Sequence, residues 1–224
     1  MIPDTIALHI HGYSGLTDAL ERGELNAVNF GPIRSGTSLV WTILREWFPA
    51  NTIAKTHAFI PYPALYDSRT VVTYRDFRDA ATSAWRRHAA EGQMMTEVEV
   101  RHFSNSAHVG AFVLNQYRDN RPSSLFVRYE DDIINIPRLI RKMAERFGVA
   151  MTGYEVTAMA ERHSIDQHRK EADGIAPRSA DAPWMEHHIS DGAVGDWRRF
   201  VPSRLHGLFT DLLYTELSDW GYVD

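Results

Sequence analysis

The chain has 224 residues, 44% of them hydrophobic, which is enough to bury one sizeable core but not two full domains. The net charge of −5 at pH 7 disfavours a nucleic-acid groove as the main function and leaves room for a local basic pocket. The absence of cysteine excludes disulfides and cysteine-based metal or redox sites, and it fits a reducing compartment. No apolar run reaches the length of a membrane span, and no basic segment precedes an apolar one at the N-terminus. We therefore expect a cytoplasmic protein without a signal peptide.

Strand and helix patterns alternate along the chain without repeats, which is typical of a parallel sheet with crossover helices. Strands are predicted at residues 27–30, 52–55, 70–74 and 124–128. Helices are predicted at residues 37–47, 77–88, 103–118, 137–147, 154–162 and 202–217. Residues 171–196 are rich in Ala, Gly, Pro, Asp and His without periodicity, which predicts a long functional loop. These patterns predict a single α/β domain over residues 1–224.

The most informative segment, residues 26–39, has the pattern of a strand, a loop and a helix. Gly31 and Gly36 are separated by four residues, as in the phosphate-binding loop of nucleotide triphosphatases. The helix after such a loop points its unpaired N–H groups and the positive end of its dipole at a bound anion. Thr37, however, stands where an ATPase carries lysine, and the only cation of the loop is Arg34. The segment therefore indicates an anion site and argues against ordinary ATP chemistry.

A second pair of polar residues follows the predicted strand at 70–74. Arg75 ends this strand and Ser83 lies on the next predicted helix, so both are near the carboxyl edge of the sheet, where open α/β folds bind ligands. The planar guanidinium group suits a phosphate. An ion pair of Arg75 with Asp76 or Asp79 is an equally good interpretation of this segment alone.

Five segments occur in the order seen in sulfotransferases that use 3′-phosphoadenosine 5′-phosphosulfate (PAPS). They are Arg34-Ser35-Gly36-Thr37-Ser38, Lys55-Thr56-His57, Arg75 with Ser83, Phe126-Val127-Arg128-Tyr129-Glu130-Asp131, and Gly192-Ala193-Val194-Gly195-Asp196-Trp197. The chain therefore resembles this family from about residue 28 onward, whereas residues 1–25 form an N-terminal extension outside the likeness. The resemblance implies a single-domain, three-layer fold with a central parallel sheet and a P-loop-like phosphosulfate-binding loop.

The resemblance also implies roles for single residues. The 5′-phosphate of PAPS would be held by the loop residues Ser35, Gly36, Thr37 and Ser38. Arg34 would contact the bridging oxygen and Lys55 the transferred sulfuryl group. His57 falls on the general base of the family, and an imidazole with an unperturbed pKa of about 6.5 suits that role at neutral pH.

The rest of the nucleotide would be held by residues further along the chain. Arg75 and Ser83 correspond to contacts with the 3′-phosphate. Tyr129 and Ser164 correspond to residues of the adenine pocket, and Gly192 belongs to a loop that folds over the nucleotide.

The sequence departs from the family at Ser190 and Asp191, which stand where the late motif carries Arg and Lys. Three explanations stay open: neighbours of Arg75 compensate, the donor binds weakly, or the donor is not PAPS. The candidate compensating residues are Arg178, His187, His188, Arg198 and Arg199.

The expected reaction is direct in-line transfer of the sulfuryl group to a hydroxyl, or to an amine, of a small-molecule or glycan acceptor. A nearly neutral transferring group needs a bridging metal less than a phosphoryl group does, and adjacent His187 and His188 do not form a metal site, so no metal is expected. Two alternatives remain: a P-loop small-molecule kinase and a non-catalytic nucleotide-binding protein. Candidate residues for the acceptor pocket are Phe59, Tyr62, Tyr66, Met94 and Met95.

Overall fold

The structure is a computed structural model that describes residues 22–57, 59, 64–172 and 193–223. In this part of the chain four parallel strands form one sheet in the order β2-β1-β3-β4. The strands are β1 (Ala27–Phe30), β2 (Ile53–Thr56), β3 (Thr70–Tyr74) and β4 (Leu125–Arg128). Phe30 lies opposite Thr56 on one side and Val72 on the other. Because β2 and β3 flank β1 on opposite sides, the chain changes direction at the carboxyl ends of β1 and β3, which is where such sheets bind ligands.

The helices within the described residues are α1 (Thr37–Trp47), α2 (Phe77–Trp85), α3 (Glu97–Asn120), α4 (Ile136–Phe147), α5 (Gly153–Arg162), α6 (Ile165–Ala172), α7 (Trp197–Phe200), α8 (His206–Leu212) and α9 (Tyr214–Asp219). Short 3₁₀ turns cover Ala50–Thr52, Ala64–Arg69 and Ser203–Leu205, and a π turn covers Tyr129–Ile133. None of these helices combines the length and hydropathy that a membrane crossing requires, among the residues that are described.

The alternation of side chains along the strands builds two hydrophobic cores. Val28, Phe30 and Val72 belong to the core under α2, α3 and the C-terminal helices, where the ring of Phe30 stacks on Tyr117 at 4.0 Å between centroids. The opposite faces of the strands carry Ala27, Val71 and Val127, which pack against α1, α4 and α5. Both faces of the sheet are therefore covered, which explains why its strands are apolar runs. The predicted three-layer α/β fold with a parallel sheet is confirmed.

Helix α3 begins earlier than residue 103, where the sequence places its start. Thr96 Oγ1 accepts a hydrogen bond from the N–H of Glu99, and the Glu99 carboxylate accepts the N–H of Thr96. This capping box fixes the start of the helix at Glu97, ahead of the segment in which the apolar period becomes clear.

Two other predicted elements also differ from the structure. The single C-terminal helix predicted at 202–217 is divided, because Leu213 has a non-helical backbone (φ −114°, ψ 12°) between α8 and α9. Helix α6 was not predicted, and its last residues overlap the loop predicted at 171–196. Residues 173–192 of that loop lie outside the described residues.

Candidate active site

The loop between β1 and α1 is closed by contacts that only glycine permits at two positions. A Cβ on Gly31 would lie 2.0 Å from Thr73 Oγ1, so any side chain there would displace the loop from β3. Gly36 has φ +95°, and a Cβ there would also meet Ile133 at 3.0 Å. Arg34 has φ +71°, in the left-handed region that non-glycine residues rarely adopt. The loop is thus held in one strained conformation against β3, as binding loops often are.

The first turn of α1 keeps its N–H groups available for an anion. Gly36 at the N-cap offers no side-chain acceptor, and the first turn contains no acidic residue. The Ser35 hydroxyl is used within the loop, where Oγ donates to the Pro32 carbonyl at 2.6 Å and lies 2.7 Å from Thr73 Oγ1. Asn29 Nδ2 donates to the Thr37 carbonyl at 2.6 Å, which ties the start of the helix to β1. Ser35 therefore supports the loop through its side chain, while the uncapped N–H groups and the helix dipole are suited to hold an anion.

Lys55 on β2 faces the start of α1. Its ammonium group donates a hydrogen bond of 2.7 Å to Ser38 Oγ and lies 6.0 Å from the ring centroid of Trp41. Burial lowers the pKa of Lys55 to about 8, because the charged amine is partly removed from water. An anion at the helix N-terminus would offset that cost, so Lys55 and Ser38 are placed to form one side of an anion site.

His57 follows β2 directly and is held by the loop. Its Nδ1 lies 2.7 Å from the carbonyl oxygen of Gly31. Because a carbonyl only accepts, Nδ1 carries the proton and donates, which leaves Nε2 as the nitrogen with the lone pair. This tautomer is the one that can remove a proton from a hydroxyl at Nε2.

Arg34 extends from the loop towards helix α2. Its Nε donates a hydrogen bond of 2.9 Å to Ser83 Oγ. Burial is the main cause that lowers the pKa of Arg34 to about 10, followed by the positive charges of Arg87 and Arg75, and Arg86 contributes less. Arg34 is still charged at neutral pH. It connects the loop between β1 and α1, called the phosphate loop below, to Ser83, which is predicted to contact the 3′-phosphate.

Arg75 is buried beside Tyr129 and Asp79. Its guanidinium carbon lies 4.0 Å from the ring centroid of Tyr129, and its Nη2 lies 3.6 Å from the Asp79 carboxylate and donates to the Ala193 carbonyl at 2.8 Å. Burial raises the pKa of Tyr129, although the charges of Arg75 and Arg34 oppose the shift. The ion-pair interpretation of Arg75 is confirmed with Asp79 as the partner, and its contact with a phosphate stays a prediction.

The late Gly195-Asp196-Trp197 motif is attached to helix α2 by hydrogen bonds. Asp79 accepts the N–H of Gly195 at 2.7 Å and the N–H of Trp197 at 2.9 Å, and Asp196 accepts a hydrogen bond of 2.7 Å from Arg86. Burial raises the pKa of Asp79, against the opposing effects of Arg75 and of the two N–H groups. Trp197 is buried in the core under α8, so its indole packs in the interior.

The sequence interpretation missed two cations of this site, Arg86 and Arg87, which stand three and four residues after Ser83. Both contribute positive charge at Arg34. Of the compensating residues named from the sequence, Arg199 pairs with Asp196 at 2.9 Å and Arg198 lies over the ring of Trp197. Arg178, His187 and His188 lie outside the described residues. The i to i+4 spacing from Ser83 on a predicted helix was the signal that would have identified Arg87.

Two further residues, Ser164 and Gly192, are predicted from the sequence to contact PAPS. Ser164 Oγ accepts the N–H of Gln167 at 3.3 Å, which makes it a capping residue at the start of α6. Gly192 lies outside the described residues. Among the candidates for the acceptor pocket, Met95 is buried in the core and Phe59 packs edge-on against Tyr117 at 5.1 Å, while Tyr62 also lies outside the described residues. No cluster of three or more metal-ligating side chains occurs among the residues that the structure describes.

Comparison with solved structures relates the fold to proteins crystallised with adenosine 3′,5′-bisphosphate (PAP). Mouse sulfotransferase SULT7A1 complexed with PAP has 16% identity to this chain and a TM-score of 0.68, with 95% of this chain and 96% of that chain covered. Retinol dehydratase in a complex with retinol and PAP has 16% identity and a TM-score of 0.63, with 87% of this chain and 82% of that chain covered. The same enzyme with androsterone and inactive cofactor PAP has 19% identity and a TM-score of 0.57, with 80% of this chain and 57% of that chain covered. At these identities the likeness concerns the fold.

Family membership rests on the sequence itself. No curated protein sequence matches the chain. A family profile described as the sulfotransferase domain matches residues 48–221, which span Lys55, His57, Arg75, Ser83 and the Gly-Asp-Trp motif. Because this match covers most of the chain, the protein belongs to the sulfotransferase family.

Proposed function

We propose that the protein transfers a sulfuryl group from PAPS to a hydroxyl, or to an amine, of a small-molecule or glycan acceptor, in one direct step with His57 as the general base. One observation carries the proposal: the Gly31 carbonyl fixes the protonated Nδ1 of His57, so that the base is held on the phosphate loop itself. Lys55 and the first turn of α1 lie beside the same loop. A proton acceptor and an anion site are thus adjacent, as sulfuryl transfer to a hydroxyl requires.

The described residues fit PAPS as the sulfuryl donor. The Nε of Arg75 is buried without a hydrogen-bond partner among them, and buried hydrogen-bond donors normally have a partner. A phosphate oxygen would satisfy it. Arg34, Lys55, Ser38 and the uncapped N–H groups at Thr37 would hold the 5′-phosphosulfate, and Arg75 with Ser83 the 3′-phosphate.

Bound PAPS would supply an activated sulfuryl group on a phosphate leaving group. His57 Nε2 takes the proton of the acceptor hydroxyl as the oxygen becomes the nucleophile. Lys55 and Arg34 neutralise negative charge on the oxygens around the reacting centre, and the partial positive charge of the α1 N-terminus assists them. The loop conformation fixed by Gly31 and Gly36 keeps these groups in place before the donor binds.

The acceptor surface is proposed to be apolar. Gly110 of α3 lies against the phosphate loop, since a Cβ there would be 3.0 Å from Pro32 Cβ. Near this contact in the chain three apolar side chains are exposed, Ile33 at 57%, Val109 at 55% and Phe112 at 65%, and the last two are helical neighbours three residues apart on α3. Exposed apolar groups beside a reacting site mark a binding surface for an apolar ligand. This surface favours an apolar alcohol or phenol over a glycan.

The proposal is tested by following labelled sulfate from PAPS into a panel of alcohols, phenols and oligosaccharides. We expect transfer to continue in excess EDTA, because charge neutralisation falls on Arg34, Lys55 and backbone N–H groups. Turnover of ATP with strict Mg²⁺ dependence would instead identify a kinase, an alternative that Thr37 disfavours because a kinase of this loop type needs lysine there. Tight nucleotide binding without transfer to any acceptor would identify a non-catalytic nucleotide-binding protein. The cytoplasmic location stays a prediction from composition, and cell fractionation would test it.

A further inference from the structure

Arg34, which contacts Ser83, and the three arginines whose charges lower its pKa, Arg75, Arg86 and Arg87, form a basic cluster. Three of them already have defined partners. Arg34 donates to Ser83, Arg75 pairs with Asp79 and donates to the Ala193 carbonyl, and Arg86 pairs with Asp196 at 2.7 Å. Arg34 and Arg87 pair with no carboxylate in the described part of the chain, and Asp196 is shared between Arg86 and Arg199. Guanidinium groups without a carboxylate partner suit a phosphate dianion.

Arg87 differs from the other three members of the cluster. Its side chain is exposed, and it makes no hydrogen bond or ion pair with any residue in the described part of the chain. Among the neighbouring charges, that of Arg87 nevertheless lowers the pKa of Arg34 most. Arg87 is therefore close to the donor site and has a guanidinium group that a ligand can use.

Arg87 lies in the turn that directly follows helix α2. The helix ends at Trp85, but Arg86 at its C-cap keeps a helical backbone (φ −54°, ψ −23°), and the N–H of His88 donates to the Trp85 carbonyl at 2.9 Å. Residues four apart on a helix lie on the same face, so Arg87 follows Ser83 one turn later. Arg34 donates to Ser83, so Arg87 follows the contact between these two residues by about one helical turn.

We propose that Arg87 binds the 3′-phosphate of the donor and replaces the cations that Ser190 and Asp191 do not supply. The inference rests on the proposed function and adds a specificity-determining residue to it. Arg75 and Ser83 alone offer one cation, itself shared with Asp79, to a dianionic phosphate. Arg87 contributes the second cation from the turn after α2, and this explains how the donor is held without a basic late motif.

Calorimetric titration with adenosine 3′,5′-bisphosphate and with AMP tests the proposal. The wild-type protein is expected to prefer the bisphosphate by at least about tenfold. Arg87→Gln should remove most of that preference while AMP affinity changes less than about twofold, and Arg87→Lys should retain part of it. Arg141→Gln is the matched control, because Arg141 is an exposed arginine on α4, on the other face of the sheet, and its loss changes the net charge equally. The melting temperature of Arg87→Gln should equal that of the wild type, since the side chain is exposed.

The possible results distinguish the assignment of PAPS as the donor from the role of Arg87. If the wild type binds both nucleotides equally, the PAPS assignment fails and the role of Arg87 fails with it. If the wild type prefers the bisphosphate and Arg87→Gln keeps that preference in full, the role of Arg87 is wrong and the donor assignment stands. A loss of preference in Arg141→Gln equal to that in Arg87→Gln would show a general effect of net charge, which also overturns the specific contact.

Discussion

Arg34 and Ser83 are joined by a hydrogen bond of 2.9 Å from the guanidinium Nε to the hydroxyl Oγ, although 49 residues separate them in the chain. The bond links the phosphate loop to helix α2. If both residues act on one bound nucleotide, Arg34→Ala and Ser83→Ala are coupled, because either change disturbs the contact of the other with the ligand. We expect a coupling of at least about 0.5 kcal/mol in adenosine 3′,5′-bisphosphate binding, measured by calorimetry on the single and double variants. Additive effects would mean that the two residues bind the nucleotide independently; Ser106→Ala, an exposed serine on α3, serves as the control.

Lys55 provides a prediction about proton uptake. Burial lowers its pKa to about 8, so about half of the amine is neutral at that pH. A bound phosphate anion favours the protonated amine and raises its pKa, and binding near pH 8 should therefore take up about half a proton per site. Phosphate groups add little at this pH, because their second pKa is about 6. Calorimetry in two buffers of different ionisation enthalpy measures the uptake.

Lys55→Met should abolish that proton uptake at pH 8. In the wild type, affinity for the bisphosphate should fall as the pH rises above about 8, because the neutral amine no longer attracts the anion. Equal uptake in the variant and the wild type would assign the proton to another group and place Lys55 away from the anion.

Asp79 connects helix α2 to the Gly195-Asp196-Trp197 motif, so its removal should destabilise both. Asp79→Asn weakens the ion pair with Arg75 and leaves one amide oxygen to accept two N–H groups. We expect the free energy of unfolding in urea to fall by about 3 kcal/mol, the range for disrupting a buried pair. Hydrogen exchange at Gly195 and Trp197 should accelerate. Asp119→Asn, at an exposed carboxylate beside Arg118, should change neither quantity; unchanged exchange at Gly195 in Asp79→Asn would contradict the connection.

Much of the fold could be predicted from the sequence, because local patterns decide it. The predicted bounds of β1, α1 and β3 agree with the structure, since each is an apolar segment bordered by polar or turn residues. The predicted start of α3 was wrong because the prediction followed the amphipathic pattern and did not include the cap at Thr96. Local patterns therefore predict most strands and helices, and capping residues are needed to predict where a helix begins or ends.

The contacts of the site depend on tertiary structure and could not be predicted in detail. The sequence named Arg34 and Ser83 separately, but their hydrogen bond depends on how α2 packs beside the loop. Likewise, the bond from His57 to the Gly31 carbonyl exists because β2 pairs with β1 in a register that brings the two loops together. Arg87 was missed because its effect on the pKa of Arg34 depends on how the turn after α2 packs beside the loop.

Phe112 tests the nature of the acceptor. If the exposed surface of Ile33, Val109 and Phe112 binds an apolar acceptor, Phe112→Ala should raise KM for an apolar phenol by about fivefold or more, because apolar contact area is lost. The affinity for adenosine 3′,5′-bisphosphate should stay the same, and Phe112→Leu should keep most of the acceptor affinity. An unchanged KM in Phe112→Ala would place the acceptor elsewhere.

His57 tests the mechanism itself. The Gly31 carbonyl holds Nδ1 as a donor, which leaves Nε2 to remove the acceptor proton. His57→Ala should therefore lower kcat on an alcohol by about 10²- to 10⁴-fold, the range for loss of a positioned general base, with nucleotide affinity nearly unchanged. The loss should be smaller for an acidic phenol, which is already partly ionised and needs less help from a base.

Arg34→Ala is the comparison that separates the base from the charge-stabilising groups. Since Arg34 acts on charge away from the nucleophile, its loss should lower turnover for the alcohol and the phenol to a similar extent. The ratio of kcat on the phenol to kcat on the alcohol therefore distinguishes the two variants: it rises in His57→Ala and stays near the wild-type value in Arg34→Ala. If His57→Ala keeps a near-normal kcat on the alcohol, His57 only supports the loop through Gly31. The base must then be sought at His187 or His188, and the same ratio measured in His187→Ala and His188→Ala would identify it.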